Sequence, residues 1–318
     1  MRVVFLYFVL IVCSTLSYAA PKVGMTKPQN VRIGVYIMHI NDLDIKSKVA
    51  NVVFWLWFIH KPDSEDSKKD HFDITNAESY NVLTKASKVQ PNGEIWNAYK
   101  IDAKLSQSWD MTNYPLNSQS IKIDIENYYY SANDLIYSAD NKDTGLSDKL
   151  DLTGWKLIKS GWHIATDHYN SSFGNTAARN SANYSQAIYA IDIQNNNLRT
   201  YVKLFGLLYL ASFLILCMFI LPIDEFRGRI SLNSSAIFAI VGNVIATNAS
   251  MPASNSLTLV DKVQFGLLAY MGIMLICLLG NYYVNKHYSV KVSRIINAVL
   301  GILTASIIIV ANIYVLSL

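Results

Sequence analysis

The stretch that decides the fold is SWDMTNYPLNSQSIKI, residues Ser108 to Ile123. Runs typical of β-strands lie on both sides of its centre, YKIDAKL before it and IKIDIEN after it. Between these runs is a compact tip with a Tyr-Pro step and no glycine. Because proline fixes the backbone angle φ, the tip is expected to be a stiff connection between two strands.

The sequence around this loop predicts an all-β domain. VRIGVYIMHI (Val31–Ile40) alternates in part, and ANVVFWLWFIH (Ala50–His60) is a continuous aromatic and β-branched run, typical of a strand buried on both faces. About eight to ten strands in roughly 180 residues, without a convincing helix, indicate a β-sandwich. Further strands are expected at 72–74, 95–105, 120–125, 155–159, 162–166 and 185–194.

The last third of the chain has the composition of a membrane domain. Of the 318 residues 52% are hydrophobic, and long apolar runs concentrate after Thr200. Each run is near the ~20 residues that cross a bilayer as a helix. The sequence therefore predicts a β-sandwich at 21–200 followed by an all-α four-helix transmembrane domain at 201–318, with spans at about 201–221, 230–249, 263–284 and 292–316.

Two features predict the same orientation in the membrane. Residues 1–20, MRVVFLYFVLIVCSTLSYAA, have the pattern of a secretory signal peptide, and their apolar core is shorter than the alternative, an N-terminal anchor, requires. The first and third connections between the apolar runs are basic, so the positive-inside rule places them in the cytoplasm. The N-terminal domain and the C-terminus are then expected to be periplasmic or extracellular. The basic residues are Arg227, Arg229, Lys286, Lys291 and Arg294.

Nothing in the sequence predicts an enzyme. HExxH, GxSxG and a glycine-rich phosphate loop are all absent from it. His163, Asp167 and His168 could form an acid–base or metal cluster, but adjacent residues of a strand face opposite ways, so surface histidines are the simpler interpretation. All three cysteines lie in apolar runs, which leaves the predicted β-domain without disulfides or thiolate ligands. We expect no catalytic residues, no metal, no cofactor and no nucleic-acid partner.

The opening stretch resembles the signature loop of the pentameric ligand-gated ion channels, the Cys-loop receptor superfamily. That loop carries an Asp, then an aromatic-Pro-apolar-Asp run, then a Gln. Asn117 replaces the second Asp here, and the two flanking cysteines would fall at Gln107 and Ile121, so the disulfide is missing as it is in prokaryotic members. The matching residues are Asp110, Tyr114, Pro115, Leu116 and Gln119.

The resemblance extends along most of the chain. HINDLDIKSKVANVVFWLWF resembles the first two strands of the family, LRTY resembles the junction before the membrane, and the segment from FRGRISL to VDKV resembles the pore helix and the loop after it. Tyr209 stands where the first membrane helix of the family usually has a proline. The resemblance implies that a set of junction residues couples ligand binding to the pore: Asp44, Asp110, Tyr114, Pro115, Arg199, Pro252 and Asp261.

The resemblance also implies that five copies of the second membrane segment surround a pore. At helical spacing one face of it carries Ser231, Ser235, Phe238, Gly242, Ile245 and Ala249. Five Phe238 rings would form a dry constriction that gates by dewetting. The alternative is that this face packs against other helices, and that Asn233, Asn243 and Thr247 bond between helices. The charge selectivity is open from the sequence: Asp224 and Glu225 precede the helix and would favour cations, whereas Arg227 and Arg229 lie nearer the mouth of the pore. Cations are the expected permeant ions, because most characterised prokaryotic relatives conduct them.

The resemblance places a ligand between neighbouring sandwiches. An aromatic box would suit an amine, while protons, divalent ions and the absence of a natural ligand are open alternatives. Core packing competes with ligand contact for each aromatic residue, although three consecutive tyrosines of a strand cannot all point inward. The candidates are Tyr128, Tyr129 and Tyr130 in the second binding loop, Tyr169, Phe173 and Tyr184 at the capping hairpin, and Trp55 or Trp57 from the neighbour.

These observations together predict one subunit of a homopentameric ligand-gated ion channel. Its expected partners are the lipid bilayer, permeant ions and a small ligand or proton as agonist, and its expected location is a cell membrane, the inner membrane of a bacterium. The alternative is a non-conducting membrane receptor or scaffold on the same fold.

Overall fold

The computed structural model describes residues 27–62, 68–174, 182–195, 197–254 and 256–317, and the expected signal peptide at 1–20 lies outside them. Within the described residues, ten β-strands are followed by four long helices, so the predicted fold class is confirmed. The strands are β1 (Gln29–Asp44), β2 (Val49–His60), β3 (Asp73–Ile74), β4 (Ala77–Val89), β5 (Ile95–Ser106), β6 (Ser118–Glu126), β7 (Leu135–Ala139), β8 (Gly145–Leu146), β9 (Trp155–Tyr169) and β10 (Ala182–Asn195).

The strands form two sheets that pack face to face. The six-stranded sheet has the order β4-β5-β2-β1-β7 with β8 also paired to β1, and the four-stranded sheet has the order β3-β6-β10-β9. Side chains that alternate inward from both sheets, such as Phe58, Ile123 and Tyr189, are almost completely buried in one core. The apolar run of β2 is buried on both faces as predicted, because Trp57 and Ile59 pack in a second cluster on the outer face.

Three strands were not predicted from the sequence. Most side chains of β4 are exposed, so its sequence AESYNVLTKASKV lacks the apolar alternation that marks a strand. The other two, β7 and β8, are short and pair with β1 in parallel. The predicted strands at 155–159 and 162–166 form one continuous strand, β9, which passes through Gly161.

The four helices are α1 (Leu198–Ile220), α2 (Phe226–Ser250), α3 (Leu259–His287) and α4 (Val290–Leu316). All four are long and apolar enough to cross a membrane. They begin two to four residues before the predicted spans, and in α1 and α3 a capping side chain outside the apolar run starts the helix. The Asn197 side chain accepts the N–H of Arg199 at the start of α1, and Thr258 and Asp261 form a capping box at the start of α3.

Candidate functional site

The three consecutive tyrosines lie in a loop that follows β6, so strand alternation does not constrain them. The buried side chain of Asn127 holds this loop: its Oδ1 accepts the N–H groups of Tyr129 and Tyr130 at 2.9 and 2.8 Å. Its Nδ2 donates to the carbonyl oxygen of Lys68 at 3.0 Å, which ties the loop to the short turn Lys68–Asp70. Tyr128 and Tyr129 are 59% and 53% exposed, whereas Tyr130 packs against the core.

This tyrosine loop presents aromatic faces that already contact a cation. The Nζ of Lys68 lies 3.8 Å from the ring centroid of Tyr129. The His71 ring lies 5.6 Å from that of Tyr128, centroid to centroid. The exposed aromatic faces of the loop can therefore bind positively charged groups.

The three aromatic residues predicted at the capping hairpin do lie together. The Tyr169 ring is 5.3 Å from that of Phe173 and 5.8 Å from that of Tyr184, measured between centroids. Phe173 is largely exposed and Tyr184 is at the start of β10. The hairpin between β9 and β10 thus carries a compact aromatic cluster, and residues 175–181 of it lie outside the described part of the chain.

Glu126, at the end of β6, bonds to this hairpin, and it was not predicted as a site residue from the sequence. The Tyr169 hydroxyl donates to its two carboxylate oxygens at 3.1 and 3.0 Å, and Gln186 Nε2 donates at 2.9 Å. Burial raises the pKa of the Glu126 carboxyl, and nearby Asp167 and Asp73 raise it further, while the bonds from Tyr169 and Gln186 act in the opposite direction. In the sequence DIE of β6, Asp124 and Glu126 alternate with an apolar residue, a pattern typical of acids that face solvent. Only the contacts of Glu126 with Tyr169 and Gln186 show that it has different surroundings.

Within one chain, Trp55 lies apart from the tyrosine loop and from the aromatic cluster of the hairpin between β9 and β10. It lies on β2 in the six-stranded sheet, partly buried, where it packs with Tyr36 and Trp96 around Trp57. Trp57 itself is mostly buried, and its Nε1 donates to Asp140 at 3.0 Å. A contribution of Trp55 to a ligand cleft from the neighbouring subunit stays a prediction.

Two glutamine side chains close the signature loop at its base. Gln119 donates to the carbonyl oxygen of Asp110 at 2.6 Å and accepts the N–H of Asp110 at 2.9 Å. Gln107 makes the equivalent pair of bonds with Lys122, donating to the carbonyl oxygen and accepting the N–H, each at 2.9 Å. Because Gln107 stands at one expected cysteine position, an amide clasp holds the loop at a place where the family resemblance expects a disulfide.

The signature loop is also fixed internally. The Asp110 side chain accepts the N–H of Thr112 at 2.9 Å, and this bond holds the pKa of Asp110 below its usual value. Asn117, the replacement for the second Asp, donates to the Asp110 carbonyl oxygen at 2.9 Å. The peptide bond between Tyr114 and Pro115 is cis.

The tip of the loop contacts the end of β10, just before α1. Asn195 Nδ2 donates to the Tyr114 hydroxyl at 3.4 Å, and Gln194 Nε2 donates to the Leu116 carbonyl oxygen at 3.2 Å. Arg199 is exposed in the first turn of α1. The loop therefore touches the strand that continues into the membrane domain, and this arrangement suits a coupling element.

A second contact between the domains comes from the turn after β1. Lys46 Nζ donates to the Ala249 carbonyl oxygen at the C-terminal end of α2, at 2.8 Å. Asp44 accepts the N–H of Ser47 at 2.9 Å, which shapes this turn and lowers the pKa of Asp44. Lysine complements the negative end of a helix dipole. Asp44 was predicted from the sequence and Lys46 was not, because the sequence of the turn does not show which part of the membrane domain lies against it.

The connection between α2 and α3 contains the remaining two predicted coupling residues. Pro252 is buried after the end of α2, and the Asp261 side chain accepts the N–H of Thr258 at 3.0 Å in the capping box of α3. Both line a cavity of about 520 Å³ formed by this connection. A coupling role for them stays a prediction.

The two faces of α2 differ in their surroundings. Residues of the predicted pore face point away from the other helices: Phe238 is 75% exposed, Gly242 is half-exposed, and Ser231, Ser235, Ile245 and Ala249 are exposed. We call this face the exposed stripe.

The opposite face of α2 is buried in the helix bundle. Asn243 Nδ2 donates to the Leu204 carbonyl oxygen of α1 at 3.0 Å, and Gln264 Nε2 of α3 donates to Thr247 Oγ1 at 3.1 Å. Polar bonds between helices and an exposed stripe therefore coexist: Asn243 and Thr247 bond between helices as the alternative interpretation expected, but the predicted pore face is exposed and not packed against the other helices of the chain. Pore lining by the stripe stays a prediction.

Comparison with known proteins adds independent information. Residues 66–196 match the family model of the neurotransmitter-gated ion-channel ligand binding domain. The gamma-aminobutyric acid receptor subunit pi of Bos taurus is 20% identical over 225 residues, which are 69% of this chain and 46% of the relative. The chain thus spans about half the length of that relative. Residues 66–196, which match the family model, contain the tyrosine loop, the signature loop and the hairpin between β9 and β10, which we call the aromatic hairpin.

Proposed function

We propose that the chain is a member of the superfamily of pentameric ligand-gated ion channels and forms one subunit of such a channel. The observation that carries this proposal is a β-sandwich matching the ligand-binding family model, joined directly to four helices of membrane-spanning length. Because this family consists of ligand-gated channels, the proposed role is ion conduction and not enzymatic catalysis.

The proposed assembly is a homopentamer in a cell membrane, the inner membrane of a bacterium. Residues 1–20 would direct export, 21–200 would form the ligand-binding domain outside the membrane, and 201–318 would form the pore domain. The exposed stripe of α2 supports this arrangement, because such a large apolar side chain as Phe238 needs a covering environment.

The proposed ligand cleft lies between neighbouring sandwiches. One subunit would contribute the tyrosine loop and the aromatic hairpin, and the next would contribute Trp55. The aromatic faces, together with the Glu126 carboxylate beneath the hairpin, favour a positively charged ligand such as an amine. Protons are the second candidate agonist, because burial raises the pKa values of both Glu126 and Asp124.

Binding would reach the pore through two contacts of the domain junction. Movement of the hairpin would pass along β10 to the signature loop and to α1 through Asn195 and Tyr114. Movement of the turn after β1 would reach the end of α2 through Lys46. In the closed state five Phe238 rings would exclude water, and rearrangement of α2 would let water and ions pass.

Two measurements on the purified full-length protein test this proposal. Native mass spectrometry from mild detergent is expected to give the mass of five chains. Recordings from planar bilayers that contain this pentamer are expected to show discrete current steps under pH steps or an amine panel. A monomer or dimer would contradict the assembly, and pentamers that bind amines without any current would instead support the non-conducting receptor on the same fold.

A further inference from the structure

The charge on α2 is entirely positive. Between Phe226 and Ser250 the helix has two charged side chains, Arg227 and Arg229, and no carboxylate. A ring of charged side chains at the mouth of a pore selects ions of the opposite sign. The positions of these two arginines therefore decide which ions the proposed pore favours.

Arg229 does not belong to the exposed stripe. It is only 2% exposed, and its guanidinium donates to the carbonyl oxygens of Leu221 and Pro222 and to Asn297 Oδ1 of α4, the last at 2.7 Å. Asn297 in turn donates to the Phe219 carbonyl oxygen at 3.2 Å. The guanidinium of Arg229 therefore links the α1–α2 turn to α4 and does not lie on the exposed stripe.

Arg227 lies on the other side of the helix. It precedes Arg229 by two residues, which places it about 200° away around an α-helix, and it precedes Ser231 by about one turn. Arg227 is exposed, like Ser231 and Phe238. It therefore extends the exposed stripe by one turn toward the end of α2 that the positive-inside rule places in the cytoplasm.

The two neighbouring carboxylates are differently placed. Asp224 accepts a hydrogen bond from Asn285 Nδ2 of α3 at 2.9 Å, which directs it toward α3. Glu225 is the N-cap residue of α2, and its backbone angles are outside the helical region. Neither residue is in the helical register that places Arg227 on the stripe.

We infer that the pore passes anions in preference to cations, and that a ring of five Arg227 side chains at its inner mouth selects them. This inference rests on the proposed function. The sequence led us to expect cations, and the opposite placement of the two arginines reverses that expectation. Beyond the ring, the hydroxyl groups of Ser231 and Ser235 can donate hydrogen bonds to a passing anion.

The test is the reversal potential of single-channel currents from the reconstituted full chain in a potassium chloride gradient. Spontaneous openings supply the current when the agonist is unknown, and Phe238→Ser, which is expected to open more readily, supplies a second source. Wild type is expected to reverse near the chloride equilibrium potential. Arg227→Lys should keep this selectivity, and Arg227→Gln should reduce the chloride-to-potassium permeability ratio by about tenfold, since several nearby charges are removed from the path of the ion.

Charge reversal and a matched control complete the design. Arg227→Glu should shift the reversal potential toward that of potassium. Arg294→Glu, a reversal of an exposed arginine near the start of α4, should leave the sign of the reversal potential unchanged. Wild-type currents that reverse near the potassium potential, or Arg227 variants that select like wild type, would overturn the inference while leaving the channel intact. Pentamers without any current would overturn the proposed function, and the anion pore with it.

Discussion

The amide clasp of Gln107 gives the sharpest prediction for the signature loop. Gln107→Met keeps the length of the side chain and removes both bonds to Lys122. The Lys122 carbonyl oxygen still accepts Asn76 Nδ2 at 2.8 Å, but the Lys122 N–H loses the acceptor at 2.9 Å. One lost net hydrogen bond costs about 1 kcal/mol, and a donor left without a partner in a buried setting costs about 1–3 kcal/mol more.

The free energy for local opening of the loop base should therefore fall by about 2–4 kcal/mol. Since 1.4 kcal/mol is a factor of ten, amide hydrogen exchange of residues 108–122 should become roughly 30- to 700-fold faster. Hydrogen exchange with mass spectrometry on the full-length protein measures this. Gln90→Met, in the β4–β5 connection away from the loop, serves as the matched control. An exchange rate in Gln107→Met within about twofold of wild type would refute the claim that the clasp holds the loop.

Three further predictions concern the other contacts. Lys46→Met should shift the agonist concentration for half-maximal current without changing agonist binding, because it removes the Lys46 bond to α2. Lys48→Met, in the same turn, should change neither quantity. Equal shifts in the two variants would show that the Lys46 bond does not couple the domains. Phe238→Ser should raise the resting current at a normal yield of pentamer, because it replaces an apolar ring of the constriction by a small hydroxyl side chain; a low yield without current would indicate that the ring packs instead. The folded protein holds the Glu126 proton more tightly than the unfolded chain does, so the stability of the wild type should fall as the pH rises from below the usual glutamate pKa through the raised pKa of Glu126. Glu126→Gln should flatten this part of the dependence of the unfolding temperature on pH. If the pH dependence of Glu126→Gln equals that of the wild type, Glu126 does not cause it.

The architecture was predictable because it depends on composition and periodicity. The strand β2 and the four helices could be recognised from their long apolar runs, since burial in a sandwich or in lipid requires many consecutive apolar residues. β4 was missed because its side chains are mostly exposed and its pairing with β5 is a backbone interaction. The opposite faces of Arg227 and Arg229 follow from helical spacing, but the bonds that bury Arg229 do not.

The contacts of the candidate site were less predictable for a different reason. Glu126 and Tyr169 are far apart in sequence and on strands separated by β10, and Lys46 meets α2 only where the two domains touch. The amide bonds of Gln107 depend on which backbone groups face it across β6. Gln119 was predicted because it matches a position of the loop motif. Gln107 matches no residue of that motif, and only its bonds to Lys122 show that it holds the base of the loop.

The central claim, that five copies of this chain form a channel, is tested most directly by single-channel recording from bilayers that contain the purified pentamer. The account predicts discrete current steps of uniform size, which become more frequent in Phe238→Ser. Silent bilayers, with insertion of intact wild-type and Phe238→Ser pentamers verified, would contradict it.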